Sequence, residues 1–370
     1  MFFPVQIHPS ASPVRQRALL HESLRTRVIH PRLHYESAEQ TRKWLVLHRK
    51  YSPATNAADT GFIYNRAFTE IAAQFKPARG QRKISLGKGV QVISLGCGGG
   101  NKDVLLLRQF QKQGVAAHYI PCDISLGLVL EAAALAKKDA GAAQITPVLC
   151  DLTNAMDLSV LLNSKNFRGW PRIFLFFGML PSMEPSGARA CLRSLLATVG
   201  CVTSSPDGGR LSHGATSTPR RGTWPATKTK DRLVISANLF PASVSEAGKR
   251  RILSQYDNPE TREWLFLFLR DLGVSPDAGK IRFEIRAPSS HSLPKRIEAG
   301  FQFRRAARIS VDGKNHSFRR GDRISLFFSN RHTPILIRKF LSKLNVTSSS
   351  AWISASGEEG VFAGVVGVNE

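Results

Sequence analysis

The stretch Val92-Ile93-Ser94-Leu95-Gly96-Cys97-Gly98-Gly99-Gly100-Asn101-Lys102-Asp103 runs an apolar segment into four glycines within five positions. A short buried strand, a tight turn and then a helix from about Asn101 to Gln113 satisfy that pattern. Glycine permits backbone angles closed to other residues and lets the chain approach a ligand. The helix N-terminus that follows favours a negative group. Gly96, Gly98 and Gly100 are spaced G-x-G-x-G. The dinucleotide fingerprint G-x-G-x-x-G fails, because Asn101 stands at its third glycine. A nucleoside cofactor without a pyrophosphate is the alternative, and S-adenosylmethionine (SAM) fits.

The segments after this turn alternate strand and helix. His118–Asp123 and Ile145–Asp151 are strands that end in an acid, with a helix over Leu126–Lys138 between them. Arg172–Gly178 is apolar almost throughout, as a strand covered on both faces should be. This order predicts an α/β fold, a doubly wound Rossmann-like sheet whose strand C-termini share one ligand-binding edge. Asp123 lies 27 residues after Gly96, where a carboxylate accepts hydrogen bonds from a ribose diol. Asp151, one strand further on, is placed to receive an adenine amino group. Phe177 and Gly178 end the next strand, where a reactive methyl would face its acceptor. Cys97, Cys122 and Cys150 also fall at strand ends, but their spacing matches no zinc pattern, and buried structural thiols are the expectation.

Lys and Arg number 52 against 27 Asp and Glu, for a net charge of +25. Such a balance suggests nucleic acid or another anionic partner. The basic residues are spread, however, with clusters at Arg15–Arg32, Arg220–Lys230 and Arg304–Arg331, so a solvated basic surface is preferred to a nucleic-acid partner. Five cysteines form no disulfide framework and suit a reducing cytoplasm. No apolar run reaches the ~18 residues of a membrane span. The first 40 residues show no period and carry four prolines, and are read as an unstructured basic extension. Residues 11–33 are Arg-rich with a single acid, Glu22, a composition that an organelle transit peptide shares.

The chain resembles the ergothioneine-pathway L-histidine Nα-methyltransferases and their relatives that N-methylate dimethylallyltryptophan. That family's E-L-G-S-G-S-x-E-K-T is similar to Ser94–Asp103, and its Y-V-P-V-D-I-S to Tyr119-Ile120-Pro121-Cys122-Asp123-Ile124-Ser125. Its G-D-F corresponds to Cys150-Asp151-Leu152, A-Y-D-D to Gln255-Tyr256-Asp257-Asn258, and R-I-E-M to Arg296-Ile297-Glu298-Ala299. The resemblance implies a class I SAM-dependent methyltransferase sheet with an added α+β substrate subdomain. It implies SAM as cofactor, held by Gly96, Cys97, Gly98, Gly100, Lys102, Asp123, Asp151, Phe177 and Gly178. It also implies a small amine or amino acid as substrate, contacted by Tyr256.

One departure falls at the cofactor, where Ser94 stands at the family's glutamate, and the others fall at the substrate. The family's asparagine in L-G-S-T-I-G-N-F is replaced by Met183. Its T-E-V-S, whose glutamate and serine read the imidazole, aligns with Asp322-Arg323-Ile324-Ser325. A guanidinium cannot accept an imidazole N–H, so Arg323 points to a substrate other than histidine. Tyr256 and Glu184 are the candidate catalytic groups by position, and Met183, Tyr256, Arg323 and Ser325 the candidate substrate contacts. The expected organisation is a 1–40 extension, helical substrate-domain residues over 41–84, a SAM core over 85–240 with a flexible insertion at 201–230, a substrate subdomain over 241–328, and a helix and hairpin over 329–370. An RNA methyltransferase and a non-catalytic binding protein are the rival readings.

Overall fold

The computed structural model describes residues 2–52, 57–75, 89–142, 144–153, 170–201, 231–241, 243–290 and 292–367. The insertion at 201–230 lies outside the described residues, except for Cys201 at the end of a helix.

The chain opens with β1 (Gln6–Ile7), α1 (Pro13–Thr26), α2 (Ala38–Tyr51) and α3 (Ala57–Ala73). The glycine turn then joins β2 (Val90–Leu95) to α4 (Asn101–Lys112), followed by β3 (Ala117–Asp123), α5 (Leu126–Ala140), β4 (Gln144–Ile145) and β5 (Val148–Leu149). Next come β6 (Arg172–Phe177), α6 (Pro185–Cys201) and β7 (Arg232–Asn238). The main sheet has the order β1-β5-β3-β2-β6-β7, all parallel. Two antiparallel strands, β14 (Glu359–Val366) and β13 (Val346–Ile353), extend it beyond β7. This is the class I methyltransferase arrangement, an α/β Rossmann-like sheet. The chain leaves β2 toward β3 and returns to β6 on its other side, so a topological switch point lies at the glycine turn.

Both faces of the sheet are covered. Ile93, Phe174, Phe176, Ile235 and Phe362 point to a core shared with α6 and α9 (Pro334–Ser342). Val92, Tyr119, Ile173, Leu175 and Val234 point to the opposite core, built with α3, α4 and α5. Two covered faces are why Arg172–Phe177 reads as nearly continuous apolar sequence.

The second layer follows β7. Residues 243–273 read as helical, and two helices form there, α7 (Glu246–Ser254) and α8 (Pro259–Asp271). Asn258 caps α8 by accepting the Thr261 N–H, and Pro259 takes the first helical position. The break sets Tyr256 free of either helix. A three-stranded antiparallel sheet follows, β12 (Arg323–Arg331), β9 (Lys295–Phe303) and β8 (Gly279–Arg286), with a β10 (Ala307–Val311) and β11 (Lys314–Phe318) hairpin.

Three boundaries differ from the sequence reading. The first 40 residues are structured, because Leu24, Ile29 and Leu33 bury themselves in the core of the three-stranded sheet. The prolines that suggested disorder start helices instead: Pro9, Pro13 and Pro31 each follow a residue, His8, Ser12 or His30, whose side chain caps the turn. Helix α3, expected in the substrate part, packs on the main sheet through Phe68 and Ile71. Strand β12 runs to Arg331, three residues past the expected boundary at 328.

Leu33 is 1% exposed. Leu33→Ala should therefore lower unfolding free energy by about 2–4 kcal/mol in urea titrations, as for other core leucines. A disordered extension would show no change.

Candidate active site

The glycine turn is dense in glycine because every one of its glycines is left-handed: φ is +74° at Gly96, +54° at Gly98, +86° at Gly99 and +78° at Gly100. A side chain at Gly100 would also meet the Ala132 backbone of α5 at 2.9 Å. The turn is roofed by α2. Trp44 faces Gly98 and Leu45 faces Gly99, while Met179 lies against Gly96. His48 stacks on Trp44 with ring centroids 4.8 Å apart, and burial pushes its pKa down to about 3, so the roof adds no imidazolium. Two surface recesses, of 360 and 610 Å³, open elsewhere. They do not mark the site, whose geometry lies under the roof.

Asp123 sits at the end of β3 and is buried. Its Oδ2 accepts the Gly98 N–H at 3.0 Å and its Oδ1 the Ser125 N–H at 3.1 Å. Burial raises its pKa, opposed by those backbone donors. Cys97 Sγ lies 4.0 Å from Asp123 Oδ2, and burial holds this thiol well above its ordinary pKa. Asp151 is held by the N-terminal segment: its backbone N–H donates to Ser10 Oγ at 2.9 Å, and Arg32 Nη1 lies 3.5 Å from its Oδ2. Its Oδ1 accepts the Thr153 N–H at 3.0 Å, closing a local turn. Residues read as a disordered extension thus close one end of the candidate pocket.

On the other side of the glycine turn, Lys102 Nζ donates to Ser236 Oγ at 2.9 Å and lies 3.3 Å from Glu359 Oε1. Tyr64 donates its hydroxyl to the same Glu359 oxygen. Glu359 is fully buried, yet its Oε2 has no hydrogen-bond partner among the described residues. An unpaired buried carboxylate oxygen is costly, and it marks a place where a donor belongs. Phe177 is buried beside Phe68, while Gly178 is exposed at the strand end with φ +76°.

Tyr256 is half-buried at the end of β7. Its hydroxyl receives Asn238 Nδ2 at 3.1 Å and Arg331 Nε at 3.3 Å, and shares a hydrogen bond with Ser329 Oγ at 3.1 Å. Arg331 is fully buried, donating to Leu239 O at 3.0 Å and to Gln255, with Glu358 3.6 Å away as counter-charge. An aromatic belt runs from Tyr256 back to the roof: Phe327, Trp264, Tyr35 and Trp44 follow one another at centroid spacings of 6.2, 6.2, 5.7 and 5.7 Å.

A β-bulge at Leu326 decides which β12 side chains join this set. Simple alternation would put Arg323, Ser325, Phe327, Ser329 and Arg331 on one face. The register slips between Ser325 and Phe327, so Ser325 pairs with Gly300 but Phe327 with the buried Ala299. Phe327, Ser329 and Arg331 face inward with Tyr256. Arg323 and Ser325 face away. Arg323 pairs with Glu284 at 2.5 Å, and Ser325 binds Arg27 and Ile29 through its backbone. Glu184 is more than half exposed and pairs with Arg296 at 2.7 Å, on that same far face. Met183 packs its side chain into the main core, while its carbonyl accepts Asn330 Nδ2 at 2.8 Å. Of the expected catalytic and substrate residues, only Tyr256 sits in the inner constellation.

Sequence reasoning missed Asn238, Ser329, Arg331 and Glu359. No spacing joins them to the glycine turn, though a run such as Ser329-Asn330-Arg331-His332 after a strand was a readable polar signal.

A family model described as histidine-specific methyltransferase, SAM-dependent, matches residues 63–207, somewhat under half of the chain. The matched segment contains the glycine turn, Asp123 and Asp151. The chain is a SAM-dependent methyltransferase. No curated protein matches it significantly. Among solved structures it is similar to magnesium protoporphyrin IX methyltransferase from Synechocystis, with bound S-adenosylhomocysteine (SAH), at 14% identity over 90% of this chain and 96% of that one, TM-score 0.40. It is also similar to 1,6-didemethyltoxoflavin-N1-methyltransferase from Burkholderia thailandensis (12% identity, 97% and 92% covered, TM-score 0.38) and to a SAM-dependent methyltransferase from Clostridium acetobutylicum (9% identity, 88% and 98% covered, TM-score 0.39). No helix among the described residues is long and apolar enough to cross a membrane.

The residues fit the cofactor of this methyltransferase family in chemistry: a left-handed glycine cradle, an acceptor at Asp123, and a Lys102–Glu359 pair with one unsatisfied acceptor. Beside the cradle, burial raises the Asp103 carboxyl to about 6 from an ordinary 3.8, while its Oδ2 accepts the Tyr119 hydroxyl at 2.5 Å. The folded protein then holds a proton that the unfolded chain releases, so stability should fall as pH rises from about 3.8 to about 6. Asp103→Asn should flatten that part of the stability–pH curve, measured by denaturant titration.

Proposed function

We propose that this methyltransferase transfers a methyl group to the nitrogen of a small-molecule amine or amino acid, in a pocket between the glycine turn and Tyr256. The aromatic belt from Trp44 to Tyr256 carries this reading, since it joins the cradle to a polar end made by Tyr256, Asn238 and Ser329. Aromatic faces attract an ammonium head and accept an apolar body. The indole N–H of buried Trp264 has no acceptor among the described residues, and a polar atom of the substrate would supply one.

In this reading the glycine turn, Asp123 and the Lys102–Glu359 pair hold SAM, which supplies an electrophilic methyl. Asp123 accepts hydroxyls, Lys102 faces a carboxylate and Glu359 Oε2 takes an ammonium. Phe177 and Gly178 border the transfer point. The residues around Tyr256 orient the amine and exclude water, so that its neutral form is favoured in a dry site. If Ser329 takes the part of the family's imidazole-reading serine, Phe327 takes that of the glutamate two places earlier. A ring there cannot accept an imidazole N–H, which favours a substrate with an apolar or aromatic body over histidine. The four cysteines described in full, Cys97, Cys122, Cys150 and Cys191, are free thiols, and a reducing cytoplasm is part of the same proposal.

Incubation with isotope-labelled SAM and a metabolite extract, followed by mass spectrometry, should label a small amine; label found only in RNA overturns the reading. Asp123→Ala should weaken SAH binding by calorimetry at least ~100-fold, because both ribose hydroxyls then lack an acceptor. Glu359→Gln should weaken SAH but leave methylthioadenosine, which lacks the amino-acid end, unaffected. With the amine identified, Tyr256→Phe should cut kcat/KM about 10-fold or more with SAH affinity unchanged. Arg323→Ala should change neither.

A further inference from the structure

The far face of the three-stranded sheet divides into two kinds of cation. Arg286, Arg296 and Arg323 are each paired, with Glu284, Glu298 or Glu184 within 4.0 Å. At the other end of the strands, Lys280, Arg282, Arg304 and Arg320 line the 360 Å³ recess with Gln302 and Gly321, and no acid lines it. None of these four side chains makes an ion pair among the described residues. The acids nearest in sequence are engaged elsewhere: Asp277 with Arg305 at 2.7 Å, Asp322 with Arg27 at 3.1 Å, and Glu284 with Arg323.

The frame of the recess is fixed. Gly321 donates to Phe303 O at 2.8 Å, Phe303 to Asp322 O at 2.9 Å, and Arg304 to Ala278 O at 2.8 Å. Lys280 and Gln302 are directly paired across β8 and β9. Four like charges held around one concavity repel one another unless an anion sits between them. Gln302 lies five residues along β9 from Ile297, which pairs with Ser329 beside Tyr256. That is roughly 17 Å, so this recess is separate from the proposed methyl-transfer pocket.

We propose that the recess binds a compact polyphosphate group, as on a nucleoside polyphosphate or an inorganic polyphosphate, at a second site remote from methyl transfer. Its size suits a few phosphates rather than a strand. Phe303, the ring in its lining, is buried against Phe318 and offers no exposed platform on which bases could stack, which disfavours single-stranded nucleic acid. Arginine forks and lysine give the donor geometry that phosphate oxygens take.

The test uses the full chain and sodium tripolyphosphate in calorimetry at low salt. Saturable binding that weakens with added salt is expected. The Arg282→Ala/Arg304→Ala double variant should lose at least ~30-fold in affinity, while Arg286→Ala, whose cation is already paired, should bind like the parent. Thermal unfolding without ligand checks that the variants fold. Absence of saturable binding, or equal binding by the double variant, overturns the proposal. So does binding of a uridine oligonucleotide with none of tripolyphosphate, which would make the surface a nucleic-acid track.

Discussion

The structure depends on a backbone constraint at one place. Between Gly96 and Gly100 every position but Cys97 refuses a side chain, because each glycine is left-handed and neighbours press on it. At Gly100 the neighbour is the backbone of α5 at Ala132, so the turn, the start of α4 and the middle of α5 are locked together. That lock sets the height of the strand ends. Asp123 then bonds to Gly98 and Ser125 at once, tying the acid to both the turn and the α5 N-terminus. An L-residue with a side chain at Gly100 would force α5 outward and carry Asp123 with it.

Around this edge the polar groups are divided by the sheet order. Asp123 and Asp151 lie on the β3 and β5 side, and the Lys102–Glu359 pair lies toward β7 and β14. The division matches a ligand with hydroxyls at one end and a zwitterion at the other. The buried pairs are not strong evidence of stability, since desolvation offsets much of their attraction. Their value is placement. Arg32 against Asp151 draws the N-terminal segment over one end of the edge, and Arg331 between Glu358, Gln255 and Tyr256 fixes the tyrosine hydroxyl at the other.

The β12 bulge has a similar consequence for the substrate end. One extra residue at Leu326 turns Arg323 and Ser325 toward a solvated, salt-bridged face and Phe327, Ser329 and Arg331 toward Tyr256. The resemblance pointed to Ser325, whereas the serine that the bulge turns toward Tyr256 is Ser329. Tyr256, which the resemblance also pointed to, lies in a loop segment whose placement does not depend on strand parity, and its hydroxyl does join this inner set.

The sequence alone determined what local geometry and burial dictate. The glycine turn, the acid-ended strands at Asp123 and Asp151, the apolar β6 and the closing antiparallel strands are each written in a run of adjacent residues, so the sheet and the methyltransferase class were legible. The order and structure of the first 40 residues were not, since Leu24, Ile29 and Leu33 gain their order only from a core that α8 and the three-stranded sheet supply from far along the chain. Only the tertiary structure decided that α2 roofs the turn, that Glu359 reaches Lys102, and that Ser329 rather than Ser325 meets Tyr256. These depend on long-range packing and on a register slip, and neither leaves a periodic trace in the chain.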